Sequence, residues 1–402
     1  MNKIPVPLFD SLINFKQVPD HILDLNAAFK NDLEAAFLFL KSYTGSQGTF
    51  NSYRREIERL FHWCWLIRKK DFASLQRDDI EEFVRFCQSP PENWIGKTKV
   101  TKFILQNGKR IPNQEWRPFV AVISKVARKR GQSIDIKKFV LSEGAIAEIF
   151  AILSTFFNFL ITENRVFLNP VALIRQKSKF IRKRQQQAPI RRLSMLQWET
   201  VLSCVEALAI KDAATHERTR FMLTALYGMY LRISELAASD RWVPCMNHFI
   251  KDTQGNWWFT TVGKGNKLRQ IAVSDAMLAS LIRWRTFLNL PPYPNAADTS
   301  PLIPKIKGKG PLKDTAWIRQ MIQQCFDSAE LQLREQGLNE EADSLAPATV
   351  HWLRHTGISE DVKIRPREHV RDDAGHSSSV TTDRYIDVEL QDRHNSAKNK
   401  AI

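Results

Sequence analysis

The sequence predicts a mainly α protein of two domains. A helical N-terminal half is joined by a basic linker to a mixed α/β half with a small antiparallel sheet. Three observations carry this expectation. The chain has 402 residues, more than one core usually serves. Apolar residues recur at helical spacing, with capping residues at the starts, over most of its length. Strand-like runs stand out at Trp257–Val262 and Ile271–Val273, on either side of the glycine-rich turn Gly263-Lys264-Gly265-Asn266.

In chain order, the first helix is expected over Asn31–Tyr43, with Asn31 as its cap. Next comes an aromatic-rich helix in which Tyr53, Ile57, Leu60, Phe61 and Cys64 share a face. Arg54, Arg55 and Arg59 lie opposite, either as a solvated basic face or along a phosphate backbone. Asp78–Phe86 reads as a further helix. Gln88–Pro118 has four prolines, two tryptophans and no period, so it reads as an irregular insertion of the kind that is often functional or mobile. Phe119–Arg130 reads as a helix closed by Gly131, and Ser142 opens a long helix to about Thr162.

These helices make an all-α domain over residues 1–174. Residues 175–192 form the basic linker, with Lys177, Lys179, Arg182, Lys183, Arg184, Arg191 and Arg192 spaced by glutamines and Pro189. Residues 193–402 form the second domain. There Ser194 and Gln197 make a capping box, with Leu193 packed on Trp198. Glu217–Tyr230, Ser274–Leu288 and Thr315–Arg334 read as helices, and Glu335–Ser344 as an acidic, solvated stretch.

Lysine and arginine number 59 against 43 aspartates and glutamates, a net charge of +16, which favours a polyanionic partner. The five cysteines are widely scattered, with no metal-ligand spacing, and read as reduced thiols of a cytosolic protein. No leader segment is recognised. The most apolar run, Ile149–Ile161, is interrupted by Ser154, Thr155 and Asn158 and is too short to span a bilayer.

The chemistry concentrates near the C-terminal end. His351 and Arg354 are three residues apart in His351-Trp352-Leu353-Arg354-His355, so on a helix they share a face and present an imidazole and a guanidinium to one anionic group. Gly375-His376 adds a second imidazole, and Tyr385 follows after a Ser/Thr-rich stretch suited to a turn and helix start. A phenol beside two imidazoles and an arginine suits covalent attack on a phosphodiester, with the cations stabilising the transition state.

This spacing resembles the tyrosine recombinase (phage integrase) family, whose pattern is His-x-x-Arg, then His or Trp, then a nucleophilic Tyr. The family also has an upstream arginine on a helix and a lysine in a β-hairpin. Leu231-Arg232-Ile233-Ser234-Glu235-Leu236 and Gly263-Lys264-Gly265-Asn266-Lys267 match these. The four boxes together cover about the C-terminal half.

The resemblance implies a tyrosine recombinase-like fold, with a helical domain that binds core-site DNA preceding the catalytic domain. It implies a site-specific recombinase or integrase of a mobile element that cleaves and rejoins DNA through a 3′-phosphotyrosine. Tyr385 would be the nucleophile, Arg232 and Arg354 the clamps on the non-bridging oxygens, and His351 and His376 hydrogen-bonding partners of the same phosphate. Lys264 would be the general acid, and Glu235 would orient Arg232. Lys267, Arg269 and the linker cations Lys177, Lys179, Arg182, Lys183, Arg184, Arg191 and Arg192 would contact DNA phosphates.

The implied partner is double-stranded DNA bearing a specific site, engaged by a homo-tetramer on paired sites, with room for an accessory DNA-bending factor. The implied location is cytoplasmic, on a prokaryotic nucleoid. No cofactor or metal is called for, because the side-chain cations do the neutralising. Two other readings stay open: a DNA-relaxing enzyme similar to type IB topoisomerases, and a catalytically inactive DNA-binding protein of the same fold.

Overall fold

In the computed structural model the chain divides into two compact units, 1–187 and 188–402. The structure describes residues 4–18, 25–174, 191–263, 266–376, 378–383, 385 and 397–398. Lys264 and the linker cations Lys177, Lys179, Arg182, Lys183 and Arg184 lie outside the described residues.

The first unit is built on α1 (Ala27–Lys41), α2 (Gln47–His62) and α3 (Arg77–Gln88). Helix α1 starts four residues earlier than expected. Asn26 precedes the apolar run and its side chain accepts from the Phe29 N–H, leaving Asn31 inside the helix. Helix α2 runs into a π-helical stretch, Trp63–Arg68, closed by Lys69 in a left-handed conformation.

The cations on the basic face of α2 are engaged within the unit, with Arg59 buried and Arg55 still 40 % exposed. The Arg59 side chain donates to the Pro118 carbonyl and pairs with buried Glu56, Arg55 bridges Glu56 and Glu148, and Arg54 donates to the Asp10 carbonyl. Sequence periodicity does not reveal that the 88–118 insertion supplies the Pro118 carbonyl to Arg59.

That insertion is ordered, and it adds two small β pairings to an otherwise helical unit. β1 (Ile95–Gly96) pairs in parallel with β4 (Phe119–Val120), and β2 (Phe103–Gln106) pairs antiparallel with β3 (Lys109–Pro112). The β2–β3 turn is Asn107-Gly108, both left-handed, the sequence such a hairpin demands. Because Phe119 enters a strand, the helix expected from it shrinks to α4 (Lys125–Lys129).

Helix α5 (Glu143–Thr162) follows, capped by Ser142 as expected. It corrects the membrane reading of the sequence, being long and apolar enough by length and composition to cross a bilayer. Its apolar face is instead spent on the unit's core, where Ile149, Leu153, Phe156 and Phe157 pack among Phe39, Phe50, Phe61 and Phe83.

The second unit opens with α6 (Met195–Lys211), and the predicted capping box is present: Ser194 and Gln197 exchange side-chain-to-backbone bonds of 3.2 and 3.0 Å. Helix α7 (Ala213–Gly228) leads into the single turn α8 (Ile233–Leu236). A three-stranded antiparallel sheet follows in the order β5 (Phe249–Lys251), β6 (Trp257–Val262), β7 (Leu268–Ala272). Helices α9 (Asp275–Phe287) and α10 (Thr315–Glu335) complete the core around Phe221, Leu226, Trp284, Ile318 and Phe326. The acidic stretch after α10 is not merely solvated: it forms α11 (Asn339–Leu345), which buries Ala342 and Leu345.

Among the described residues there follow α12 (Val350–Ile364), α13 (Arg367–Ala374) and α14 (Ser379–Asp383). Tyr385 sits just beyond α14, in a satellite cluster with Tyr230, Ile358, Val370 and Ala374 that is separate from the main core of the unit.

Candidate active site

Helix α12 carries the imidazole–guanidinium box, and a close backbone approach fixes its position. A Cβ on Gly357 would lie 2.2 Å from the Tyr227 carbonyl oxygen, so only glycine lets α12 approach α7 this closely. On the far side of the same contact, Thr356 accepts a 2.9 Å bond from the Leu193 N–H at the start of α6. His351, Arg354 and His355 then fall within one turn of one another.

Arg354 is 3 % exposed. Its Nη1 donates to the Tyr230 carbonyl, and its Nη2 donates to the Ala374 carbonyl at 2.5 Å. Tyr230 presents that carbonyl from a left-handed conformation (φ 49°), an uncommon one for a tyrosine. Its hydroxyl holds the residue there, donating to Asp361 and accepting from Arg365 at 2.9 Å. Two of the guanidinium's five N–H groups are used on backbone, which orients the fork and leaves others for an anion. Burial, then the charges of Arg232 and Arg269, push Arg354 down to about 9. It stays charged at neutral pH, in surroundings that an arriving anion would relieve.

Arg232 lies at the start of α8, with Glu235 beneath it. The Glu235 carboxylate is 2 % exposed and makes three bonds: to the Arg232 N–H at 2.8 Å, Arg232 Nη1 at 2.9 Å and Arg269 Nη2 at 2.8 Å. It therefore holds Arg232 by both its backbone and its side chain. Arg232 keeps 28 % of its side chain exposed, whereas Arg269 keeps only 8 %.

Arg269 corrects an expectation. It was expected at a DNA phosphate beside Lys267, but its fork is spent on Glu235 and on the Ala374 carbonyl at 2.7 Å. The physical reason is strand alternation: Arg269 shares the inward face of β7 with Ile271, while Lys267 is exposed before the strand begins. The Ala374 carbonyl thus accepts from both Arg354 and Arg269, joining α12, α13 and β7 at one oxygen. Gly375, left-handed after α13, makes room, since a Cβ there would lie 2.7 Å from Arg269 Nη1.

The hairpin that carries Lys264 in sequence reaches the same place. Val262 pairs with Leu268, and the Gly263 N–H donates to the Lys267 carbonyl at 2.8 Å. A Cβ on Gly263 would sit 3.6 Å from Arg232 Nη1 and 3.5 Å from Glu235 Oε1, so the hairpin's last described residue lies against the arginine. Of the linker cations, only Arg191 and Arg192 fall among the described residues; Arg191 is exposed and Arg192 half-buried.

His376 follows Gly375, with Nδ1 2.9 Å from Thr382 Oγ1 and its ring stacked on Tyr385 at a centroid distance of 5.7 Å. Burial, then Arg354, Arg232 and Arg269, push it down to about 4, so it is neutral at physiological pH. His351 is exposed at its rim. Partial desolvation, then Arg354 and Arg232, push it below the usual histidine range. The same arginines act on both imidazoles and on one another, so the boxes from α8, α12 and the α13–α14 segment converge on one locus.

Tyr385 is 6 % exposed, and its hydroxyl lies 2.6 Å from Nδ1 of His355. His355 belongs to the sequence motif but received no role from it. The signal was available, because His351 and His355 are four apart and share a helix face, and their rings meet edge to face at 4.3 Å. The arrangement offers a buried phenol with a nitrogen at its oxygen, two clamped arginines and two neutral imidazoles, which suits in-line attack on a phosphodiester.

Fold and site together define a class: the chain has the tyrosine recombinase fold. Solved structures similar to it include XerH site-specific recombinase bound to palindromic difH substrate in a post-cleavage complex. That match has a TM-score of 0.56 and 15 % identity, covering 92 % of this chain and 86 % of that one. A lambda integrase dimer bound to a COC′ core site matches with a TM-score of 0.50 and 13 % identity over 96 % and 84 % of the two chains. The Tn1549 transposon integrase in complex with circular intermediate DNA matches with a TM-score of 0.50 and 15 % identity over 91 % and 98 %. No family model matches the sequence, and no curated protein does.

Proposed function

We propose that this chain is a site-specific DNA recombinase that cleaves and rejoins duplex DNA through a 3′-phosphotyrosine at Tyr385. The observation that carries the reading is the buried Tyr385 hydroxyl held at an imidazole nitrogen, beside Arg232 and Arg354. The DNA complexes formed by the structural neighbours support the same substrate class.

In this reading the phenolic oxygen attacks phosphorus in line and expels the 5′-oxygen of the next nucleotide. Arg232 and Arg354 neutralise the non-bridging oxygens, which removes the penalty for an anion approaching an anion. His351 and His376, kept neutral by burial and then by the arginines, hydrogen-bond to the same phosphate. Lys264 protonates the leaving 5′-oxygen. The phosphotyrosine keeps the bond energy of the broken linkage, so the free 5′-hydroxyl of a partner strand can reverse the step. Strand exchange between two duplexes takes four cuts, hence four protomers on two sites. The N-terminal unit, the linker cations and Lys267 hold the duplex through its phosphates.

The test is capture of protein–DNA adducts from cells expressing the full chain, followed by sequencing of the attached strand. Wild type is expected to yield adducts at a defined sequence, with the nucleotide mapped to Tyr385, and Tyr385→Phe is expected to bind DNA and yield none. Adducts in the Phe variant, or a label on Tyr227 or Tyr230, would overturn the assignment. Two duplexes carrying the recovered site should then give products with swapped flanks. Relaxation of plasmids without exchange would move the reading to a topoisomerase.

A further inference from the structure

The sequence motif directs attention to His351, but His351 is not the imidazole at the nucleophile. The atom facing Tyr385 Oη is Nδ1 of His355, at 2.6 Å, with ring centroids 5.4 Å apart and planes inclined by 35°. His376 stacks on the other face of the phenol, but its Nδ1 is engaged by Thr382 Oγ1 at 2.9 Å. His351 touches His355 edge to face, one turn earlier on the same helix.

We propose that His355 is the proton acceptor for Tyr385, and that His351 and His376 serve the phosphate rather than the nucleophile. This rests on the recombinase reading above and assigns one step within it.

The chemistry follows from the contact. A phenol ionises near pH 10, so at neutral pH its proton must leave as the oxygen attacks. The Tyr385 hydroxyl has one proton, and the 2.6 Å contact directs it at Nδ1; the neutral ring then carries its own proton on Nε2. Among the described residues, His351 meets His355 edge to face, His376 stacks on Tyr385, and Arg354 interacts electrostatically with the phenol.

In the step, Tyr385 Oη forms the bond to phosphorus and the P–O5′ bond breaks. The phenolic proton passes to His355 Nδ1, and the 5′-oxygen takes a proton from Lys264. One proton moves between side chains, from Tyr385 to His355, and one leaves Lys264 for the 5′-oxygen; His355 gains the charge that Lys264 loses, the phosphodiester stays monoanionic, and the reverse step returns both protons. The geometry also explains why the nucleophile is held inside the site before DNA arrives: its acceptor lies on the rigid helix that bears Arg354.

The experiment uses the full chain and a nicked duplex built on the captured site, whose short 5′-hydroxyl fragment diffuses away, so that adduct formation is read in a single turnover. His355→Ala and His355→Asn are expected to slow it by about 10²-fold or more while leaving DNA affinity and thermal stability within error. Asn places an amide near the Nδ1 position, so it can hold the phenol but takes up no proton. Equal damage by Ala and Asn is therefore expected, with loss of the acidic limb of the pH–rate profile. A 5′-phosphorothiolate substrate, which assists the leaving group only, is expected to leave both variants slow.

Asn cleaving like wild type would reduce His355 to a positioning residue and overturn the proposal. Rates within threefold of wild type, an unchanged acidic limb, or rescue by the phosphorothiolate would also overturn it. No adduct from wild type at all would instead fault the recombinase reading. If His355→Ala fails to fold, the Asn variant still decides.

Discussion

Glu235 offers the sharpest test of how the clamp is built. Its carboxylate, 2 % exposed, is the counter-charge for Arg269, whose side chain is 8 % exposed, and it also holds Arg232 by backbone and side chain. Glu235→Ala removes three bonds and leaves a buried guanidinium with only the Ala374 carbonyl as partner. Breaking a buried pair in this way costs about 3–5 kcal/mol, because the remaining charge is uncompensated. For a unit of this size each kcal/mol lowers Tm by about 2–4 °C, so the expected fall is about 6–20 °C.

The assay is differential scanning calorimetry of the full chain, with the double variant Glu235→Ala/Arg269→Ala beside each single one. Removing both partners abolishes the orphaned charge, so the double variant should be more stable than additivity predicts by about 1–3 kcal/mol. A Tm fall below 2 °C for Glu235→Ala, or strict additivity in the cycle, would refute the idea that this carboxylate holds the arginines together.

Two further outcomes are expected. Gly357→Ala forces a methyl group to within 2.2 Å of the Tyr227 carbonyl, so α12 must shift off α7; it should lose about 1–3 kcal/mol in chemical denaturation and lose adduct formation with it. Lys264→Ala should slow cleavage of an ordinary phosphodiester by about 10²-fold or more, yet cut a 5′-phosphorothiolate almost normally, since that leaving group needs little protonation. Equal loss on both substrates would take the general-acid role from Lys264.

How much of this was legible in the sequence depended on what each residue had to reveal. Arg232, Glu235, His351, Arg354, His376 and Tyr385 stood at recognisable spacings, and the structure brings them to one locus. The strand Trp257–Val262 and the Ser194–Gln197 capping box matched because alternation and capping are local properties.

Arg269 failed for lack of context: a cation two residues before Ile271 on a strand points inward, and only tertiary structure supplies Glu235 to receive it. The Asn107-Gly108 turn between Phe103–Gln106 and Lys109–Pro112 was a readable hairpin signal, obscured by the surrounding prolines and tryptophans. No local pattern could show that this insertion closes over Arg59, with the Pro118 carbonyl as the acceptor. His355 stood in the stretch His351–His355, but the family pattern gives roles only to His351 and Arg354 there.

Tyr385 belongs to the satellite cluster with Tyr230, Ile358, Val370 and Ala374, not to the main core of its unit. Burial of one aromatic side chain is worth about 1.5–3 kcal/mol, against a global stability of about 5–15 kcal/mol for an ordinary domain. Undocking Tyr385 is thus a local opening that need not disturb Phe221, Trp284 or Phe326. Arg354 and Arg232 are held by the Ala374 and Tyr230 carbonyls and by Glu235, none of which requires Tyr385. The docking of the Tyr385 side chain is therefore separable from the packing that positions Arg354 and Arg232.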